Sequence, residues 1–130
     1  MFNGERREIT NPTQSEIGLE LDALEPIIPS KHGVSNFVIL SKEQPLKNNF
    51  QFVQALLKRD GQYLLEARIE YVTGKFEQYQ KLTKDLNEAK TVFRMFALDT
   101  APNITAWSDI TQKLLASNVK SRRNRQGKLK

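Results

Sequence analysis

Residues 50–72 read FQFVQALLKRDGQYLLEARIEYV. Two runs of apolar, aromatic and β-branched residues flank KRDGQ, and Asp60-Gly61 supplies the positive φ that a tight hairpin turn requires. This stretch predicts a β-hairpin, and the neighbouring segments are read outward from it. The second strand runs on to a turn at Thr73-Gly74, followed by a further strand, KFEQYQKLT at 75–83. Phe76, Tyr79 and Leu82 there depart from strict alternation, so a bulge or irregular edge is expected in that strand. From Asp85 the period changes to 3.6. Leu86, Ala89, Val92, Phe93 and Phe96 share one face, Thr83 or Asp85 can cap the start, and Thr100, Pro102 and Asn103 end the helix. A weaker helical pattern covers 107–117 through Ile110, Leu114 and Leu115.

Towards the N-terminus, Phe37–Leu40 form an apolar run of strand length. Residues 16–29, EIGLELDALEPIIP, alternate at Ile17, Leu19 and Leu21 before Pro26 and Pro29, which predicts a short strand and a proline-punctuated loop. Residues 1–15 are polar and aperiodic and are expected to form a flexible arm. The predicted fold class is α+β: an antiparallel sheet of four to five strands with one long α-helix packed on one face. The domain is expected to span 16–117. A helix of this length is marginal alone, so burial of Val92, Phe93 and Phe96 against Phe52, Leu56, Leu64 and Ile69 is expected to stabilise it.

With 38% hydrophobic and 27% charged residues the chain has a globular balance, and no apolar run approaches the ~18 residues of a membrane span. Cysteine is absent, which removes disulfides and thiolate ligands. With no secretory pattern at the N-terminus, an intracellular location is expected. The net charge of +5 is segregated. Residues 1–30 set Arg6 and Arg7 against six acids, Glu5, Glu8, Glu16, Glu20, Asp22 and Glu25. Residues 118–130 hold Lys120, Arg122, Arg123, Arg125, Lys128 and Lys130 with no acid. Such a tail is expected to be disordered; it can contact phosphates, serve nuclear import, or keep the chain soluble.

Signatures of catalysis are lacking. His32 is the sole histidine, there is no glycine-rich phosphate loop or serine elbow, and Glu66, Glu70 and Glu77 read as acids on the solvated face of strands. No enzyme activity, metal, cofactor or small-molecule substrate is expected.

From Asn36 to Trp107 the order of features resembles the WGR domain, the small β-rich module of DNA-damage-responsive poly(ADP-ribose) polymerases. NNFQFVQALL at 48–57 is similar to the family's first strand, with Gln54 at its glutamine, and QYLLEAR at 62–68 to its second. DLNEAKTVFRMFALDT at 85–100 is similar to its helix, and Asn103 and Trp107 follow. At the Trp-Gly-Arg positions this chain has Ile69, Glu70 and Tyr71, and Thr73 replaces a glycine. The resemblance implies a module that contacts nucleic-acid backbone. Ile69 cannot stack as tryptophan does, and Glu70 repels phosphate. A rebuilt surface would use Tyr71 as a stacking ring, Arg68, Lys75 and Lys81 as phosphate contacts, and Gln78 at the family's glutamine, with Lys120, Arg122, Arg123 and Arg125 adding to it. In structural terms, Arg68 and Lys75 simply flank a turn, and Trp107 is a packing anchor.

The leading expectation is a non-catalytic binding module in a nucleic-acid-associated complex, with DNA or RNA and a protein as partners. The alternatives are a protein-interaction subunit with no nucleic-acid role, supported by the acidic first 30 residues, and a small immunity- or inhibitor-like protein.

Overall fold

The computed structural model describes residues 1–3, 9–26, 37–44, 46 and 48–116. Its centre is a meander of four antiparallel strands: β2 (Phe37–Ser41), β3 (Phe50–Leu57), β4 (Tyr63–Glu70) and β5 (Phe76–Thr83). Two-residue strands, β1 (Phe2–Asn3) and β6 (Ser108–Asp109), pair on the outer edges, so the sheet has six strands in chain order. Helices α1 (Gln14–Asp22) and α2 (Leu86–Ala97) complete the elements named here, and residues 111–116 are also helical. The α+β class and the helix-on-sheet packing agree with the sequence reading. The expected single long helix is instead a 12-residue helix with a second helix beside it.

Both hairpin turns use one device. Gly61 N–H donates to Lys58 O and Gly74 N–H to Tyr71 O, and the two glycines take φ of +83° and +87°. An added Cβ at either would meet nothing within 4 Å, so only backbone conformation demands glycine there.

The expected strand at 16–29 is a helix over its first part. Thr13 Oγ1 accepts from Glu16 N–H at 3.1 Å while Glu16 Oε1 accepts from Thr13 N–H at 3.0 Å, a reciprocal capping box. Ile17, Leu21 and Leu24 lie four and three residues apart and are buried, whereas Leu19 is 66% exposed. The apparent alternation is thus a helical stripe plus one solvent-facing leucine. The expected arm at 1–15 includes β1, paired through Phe2↔Ile39 and Asn3↔Val38, and Met1, which packs on the core.

The core lies between the helices and one face of the sheet. Phe93 and Phe96 of α2 and Ile17 and Leu21 of α1 are fully enclosed, over Val38, Val53, Ala55, Leu65 and Ala67. Each large side chain so buried contributes about 2 kcal/mol. The facing residues differ from the expected set. Ile69 is buried, but Phe52, Leu56 and Leu64 lie on the opposite face and are half-buried. The register pairs Leu56 with Leu64 and Phe50 with Ile69, so Leu64 and Ile69, five apart on one strand, point to opposite faces. The bulge expected in β5 is absent from its ladder with β4, which is regular over eight pairs. A register shift lies between Phe50 and Phe52 instead, and it turns Phe50 inward and Phe52 outward.

Asp85 caps α2 by accepting from Asn87 N–H at 2.9 Å. The helix stops at Asp99, whose φ of 63° is left-handed, and Lys42 holds that end by pairing with Asp99 at 2.9 Å and donating to Ala97 O. The helix predicted over 107–117 begins later: residues 105–106 turn, β6 follows, and only 111–116 are helical among the described residues. Trp107 therefore sits before the helix, half-buried against the core.

Candidate functional site

The hairpin register arranges the face of the sheet away from the helices into cross-strand rows. Nearest the β3–β4 turn, Phe37, Leu56, Leu64 and Leu82 stand side by side on β2, β3, β4 and β5. The next row is Ile39, Gln54, Glu66 and Gln80, and the third is Ser41, Phe52, Arg68 and Gln78. Apolar members of these rows lie outside the core cluster, and Leu82 is 48% exposed. At the β5 end of the third row the face is closed: Gln78 and Thr111 are buried, and Gln78 N–H donates to Thr111 Oγ1 at 2.9 Å.

The third row carries a polar network. The Arg68 guanidinium lies 4.0 Å from the centre of the Phe76 ring and 6.0 Å from that of Phe52. Its Nη1 donates to Gln78 Oε1 at 3.4 Å, and Gln78 Nε2 donates to Glu66 Oε2 at 2.7 Å. Arg68 Nε is 3.0 Å from Glu70 Oε1, an ion pair by distance whose N–H is not aligned for a hydrogen bond. Burial raises the Glu66 carboxyl above its ordinary value, and the Gln78 bond opposes that in part.

At the β4–β5 turn a groove of about 520 Å³ is lined by Tyr71, Lys75, Phe76, Glu77, Asp109 and Leu115, among others. Tyr71 Oη donates to Glu77 Oε2 at 3.0 Å, and Tyr79 Oη reaches the same oxygen at 3.3 Å. The Tyr71 phenol is raised chiefly by that hydrogen bond, and the Tyr79 phenol by burial and then by the Glu77 charge. Thr111, bonded to Asp109, lowers the Asp109 carboxyl. With Glu77 and Asp109 as walls, the groove does not favour phosphate.

No family model, curated protein or solved structure matches this chain. Its own geometry is therefore what assigns the site.

The five body residues proposed from sequence do not form one surface. Arg68 and Gln78 touch each other on the open face. Tyr71 and Lys75 line the groove at the turn. Lys81 is on the helix side, paired with Glu88 of α2, whose carboxyl it lowers. Lys120, Arg122, Arg123 and Arg125 lie outside the described residues. Two of the three proposed body cations are thus neutralised by carboxylates, and the stacking ring is tethered to a third acid. The residues that replace the Trp-Gly-Arg motif are each engaged within the chain: Ile69 in the core, Glu70 with Arg68, and Tyr71 with Glu77.

Sequence reasoning missed Leu56 and Leu64, which it placed in the core, and Glu66, which it read as solvated. Side-chain size held a signal. Ala55 and Ala67, paired across the hairpin with Leu65 and Val53, stand on the other face, in one buried cluster with Phe93 and Phe96. Among the described residues no group of three or more histidine or acidic side chains is placed to hold a metal, and no helix is long and apolar enough to cross a membrane.

Proposed function

We propose that this chain is a non-catalytic binding module that docks a protein through the open face of its sheet. The observation that carries the reading is the row Leu56, Leu64 and Leu82, with Ile39 beside it, on the sheet face away from the core cluster, where Leu82 is 48% exposed. A contiguous apolar strip rimmed by amides marks an interaction surface. Kinship with the WGR domain is supported by the order of hairpin, third strand and capped amphipathic helix. The substituted tripeptide, with its three residues engaged internally, supports a module that has lost the family's nucleic-acid contact.

The test compares native-extract capture on wild-type protein with capture on Leu64→Glu and Leu82→Lys, each verified to be folded by its melting curve. Partners lost from both variants support the reading. A capture pattern unchanged by both refutes it.

A second reading concerns the tail. Six basic residues and no acid in 120–130 favour nonspecific backbone affinity for DNA or RNA, within a nucleic-acid-associated and nuclear setting. The paired cations of the body support assigning that affinity to the tail. Deleting 118–130 should abolish low-salt oligonucleotide binding and flatten its salt slope; unchanged affinity would rule the tail out.

A further inference from the structure

We propose that the groove at the β4–β5 turn is a binding site for a basic segment, and that its occupant is this chain's own C-terminal run, residues 117–130. This goes beyond both readings above and needs neither. Two observations support it: the charge of the groove, and the place where the described part of the chain ends.

Asp22, Asp60, Glu70, Glu88 and Asp99 each pair with a lysine or arginine. Glu77 and Asp109, the acids that line the groove, pair with none among the described residues, and Lys75, which lines it too, pairs with neither. Neutral donors hold them instead. Glu77 accepts from the Tyr71 and Tyr79 hydroxyls, and Asp109 from Thr111 N–H at 2.9 Å. Thr111 keeps the Asp109 carboxyl below its ordinary value, so it is charged at neutral pH. Two carboxylates against one ammonium leave the walls net negative. The same groove is lined by Phe76, by Tyr71, which is 39% exposed, and by Leu115, which is 42% exposed. Aromatic faces beside carboxylates suit an ammonium or guanidinium, and Leu115 suits its alkyl stem. Arg68, stacked on Phe76 at 4.0 Å, shows the same chemistry within the sheet. A metal ion fits less well, because among the described residues no group of three or more histidine or acidic side chains is placed to hold one.

Leu115 forms part of the groove wall, and Ala116 is the last described residue. The sequence that follows holds Lys120, Arg122, Arg123, Arg125, Lys128 and Lys130 and no acid. At about 3.3 Å per extended residue, the reach from Ala116 is about 13 Å to Lys120 and about 20 Å to Arg122, which makes these the first cations available to the groove. A tether this short gives an effective concentration in the millimolar range, so contacts with a Kd on the order of 1 mM in a free peptide fill about half of the grooves. A polyanion that binds the tail must then compete with Glu77 and Asp109 for the same side chains.

The chain has no cysteine, so Ser121→Cys accepts a single nitroxide label. Amide NMR of the labelled chain at low salt should show broadening at Gly74, Lys75 and Glu77, which are remote from the label in sequence. The broadening should fall by about half or more in Glu77→Gln, in Asp109→Asn, and at about 1 M salt, where the Debye length is about 3 Å. Glu43→Gln, which removes an acid that lines a different pocket, should leave it unchanged. A tether with no docking site also brings the label near the groove, but its broadening is indifferent to these changes. Broadening that is absent, that salt and both groove variants leave as it was, or that Glu43→Gln lowers equally, overturns the proposal. The salt series reads the groove with both acids in place, so it decides the matter even if a variant fails to fold.

Discussion

Arg68 is the residue on which the structural and nucleic-acid readings differ most, and replacing it with alanine separates them. Its guanidinium stacks on Phe76 at 4.0 Å, with Phe52 at 6.0 Å on the other side. A partly desolvated stack of this kind is worth about 1 kcal/mol. The Glu70 pair adds at most about 0.5 kcal/mol, since the two side chains are 29% and 45% exposed and screened by solvent. Loss of the donor to Gln78 Oε1, and of the alkyl stem's cover over the two rings, brings the expected cost of Arg68→Ala to about 2 kcal/mol. For a chain of this size that lowers the melting temperature by about 8 °C. Arg68→Lys keeps the charge but not the planar stack, so about half the loss should remain. Urea unfolding with an unchanged m-value measures both, and an oligonucleotide titration at low salt accompanies it. If Arg68→Ala melts within about 0.5 kcal/mol of wild type but loses oligonucleotide affinity, the clamp is not structural and the body contacts phosphate after all.

Three further outcomes follow from local geometry. Gly61→Ala and Gly74→Ala should each cost about 1 kcal/mol in thermal or chemical melts through left-handed backbone alone, with Gly61→Asn costing less; a neutral alanine would show that the turn relaxes. Glu66→Gln should stabilise the fold at neutral pH. Because the folded carboxyl is raised, its penalty grows as pH rises from 4.5 through the folded value, and wild type and variant should converge below 4.5; a pH-independent difference would contradict the burial argument. Phe93→Ala should cost about 4 kcal/mol, read from denaturant midpoints, since the ring is fully enclosed between α2 and the sheet; a loss under about 1 kcal/mol would mean that the helix does not depend on the sheet.

The hairpin, the third strand and α2 were legible because each is specified locally, by a glycine turn or by an apolar stripe of period 3.6. Which face of the hairpin met the helix was not. Phe52, Leu56 and Leu64 outrank Ala55 and Ala67 on any hydrophobicity scale, yet the alanines face inward, in one buried cluster with Phe93 and Phe96. The inward face also carries Phe50, Val53, Leu57, Leu65 and Ile69, so both faces of the hairpin are apolar and the choice becomes visible only when helix and hairpin are placed together. Helix α1 was misread for a related reason: Ile17, Leu19 and Leu21 fit a strand over five residues, and the capping box at Thr13 and Glu16 lies just upstream of that window. The site residues fared least well. Sequence proximity put Arg68, Tyr71, Lys75, Gln78 and Lys81 in one neighbourhood, but strand alternation and the turn distribute them over two faces and an edge.

That distribution bears on why the open face is the better candidate for function. A sheet covered on one side needs apolar residues only on that side, and here the covered side of the two central strands includes two alanines while the open side carries Leu56 and Leu64. In an isolated monomer the two outward leucines recover part of their transfer free energy from cross-strand neighbours, and the rest stays unrealised because water still reaches them. The polar groups of the same face show the opposite economy. Glu66, Gln78 and Arg68 satisfy one another within the chain, and Phe76 and Phe52 flank the cation. A surface whose charges are already spoken for and whose leucines are not favours contact with apolar protein over contact with a polyanion, whose affinity would depend on cations free to replace its counterions.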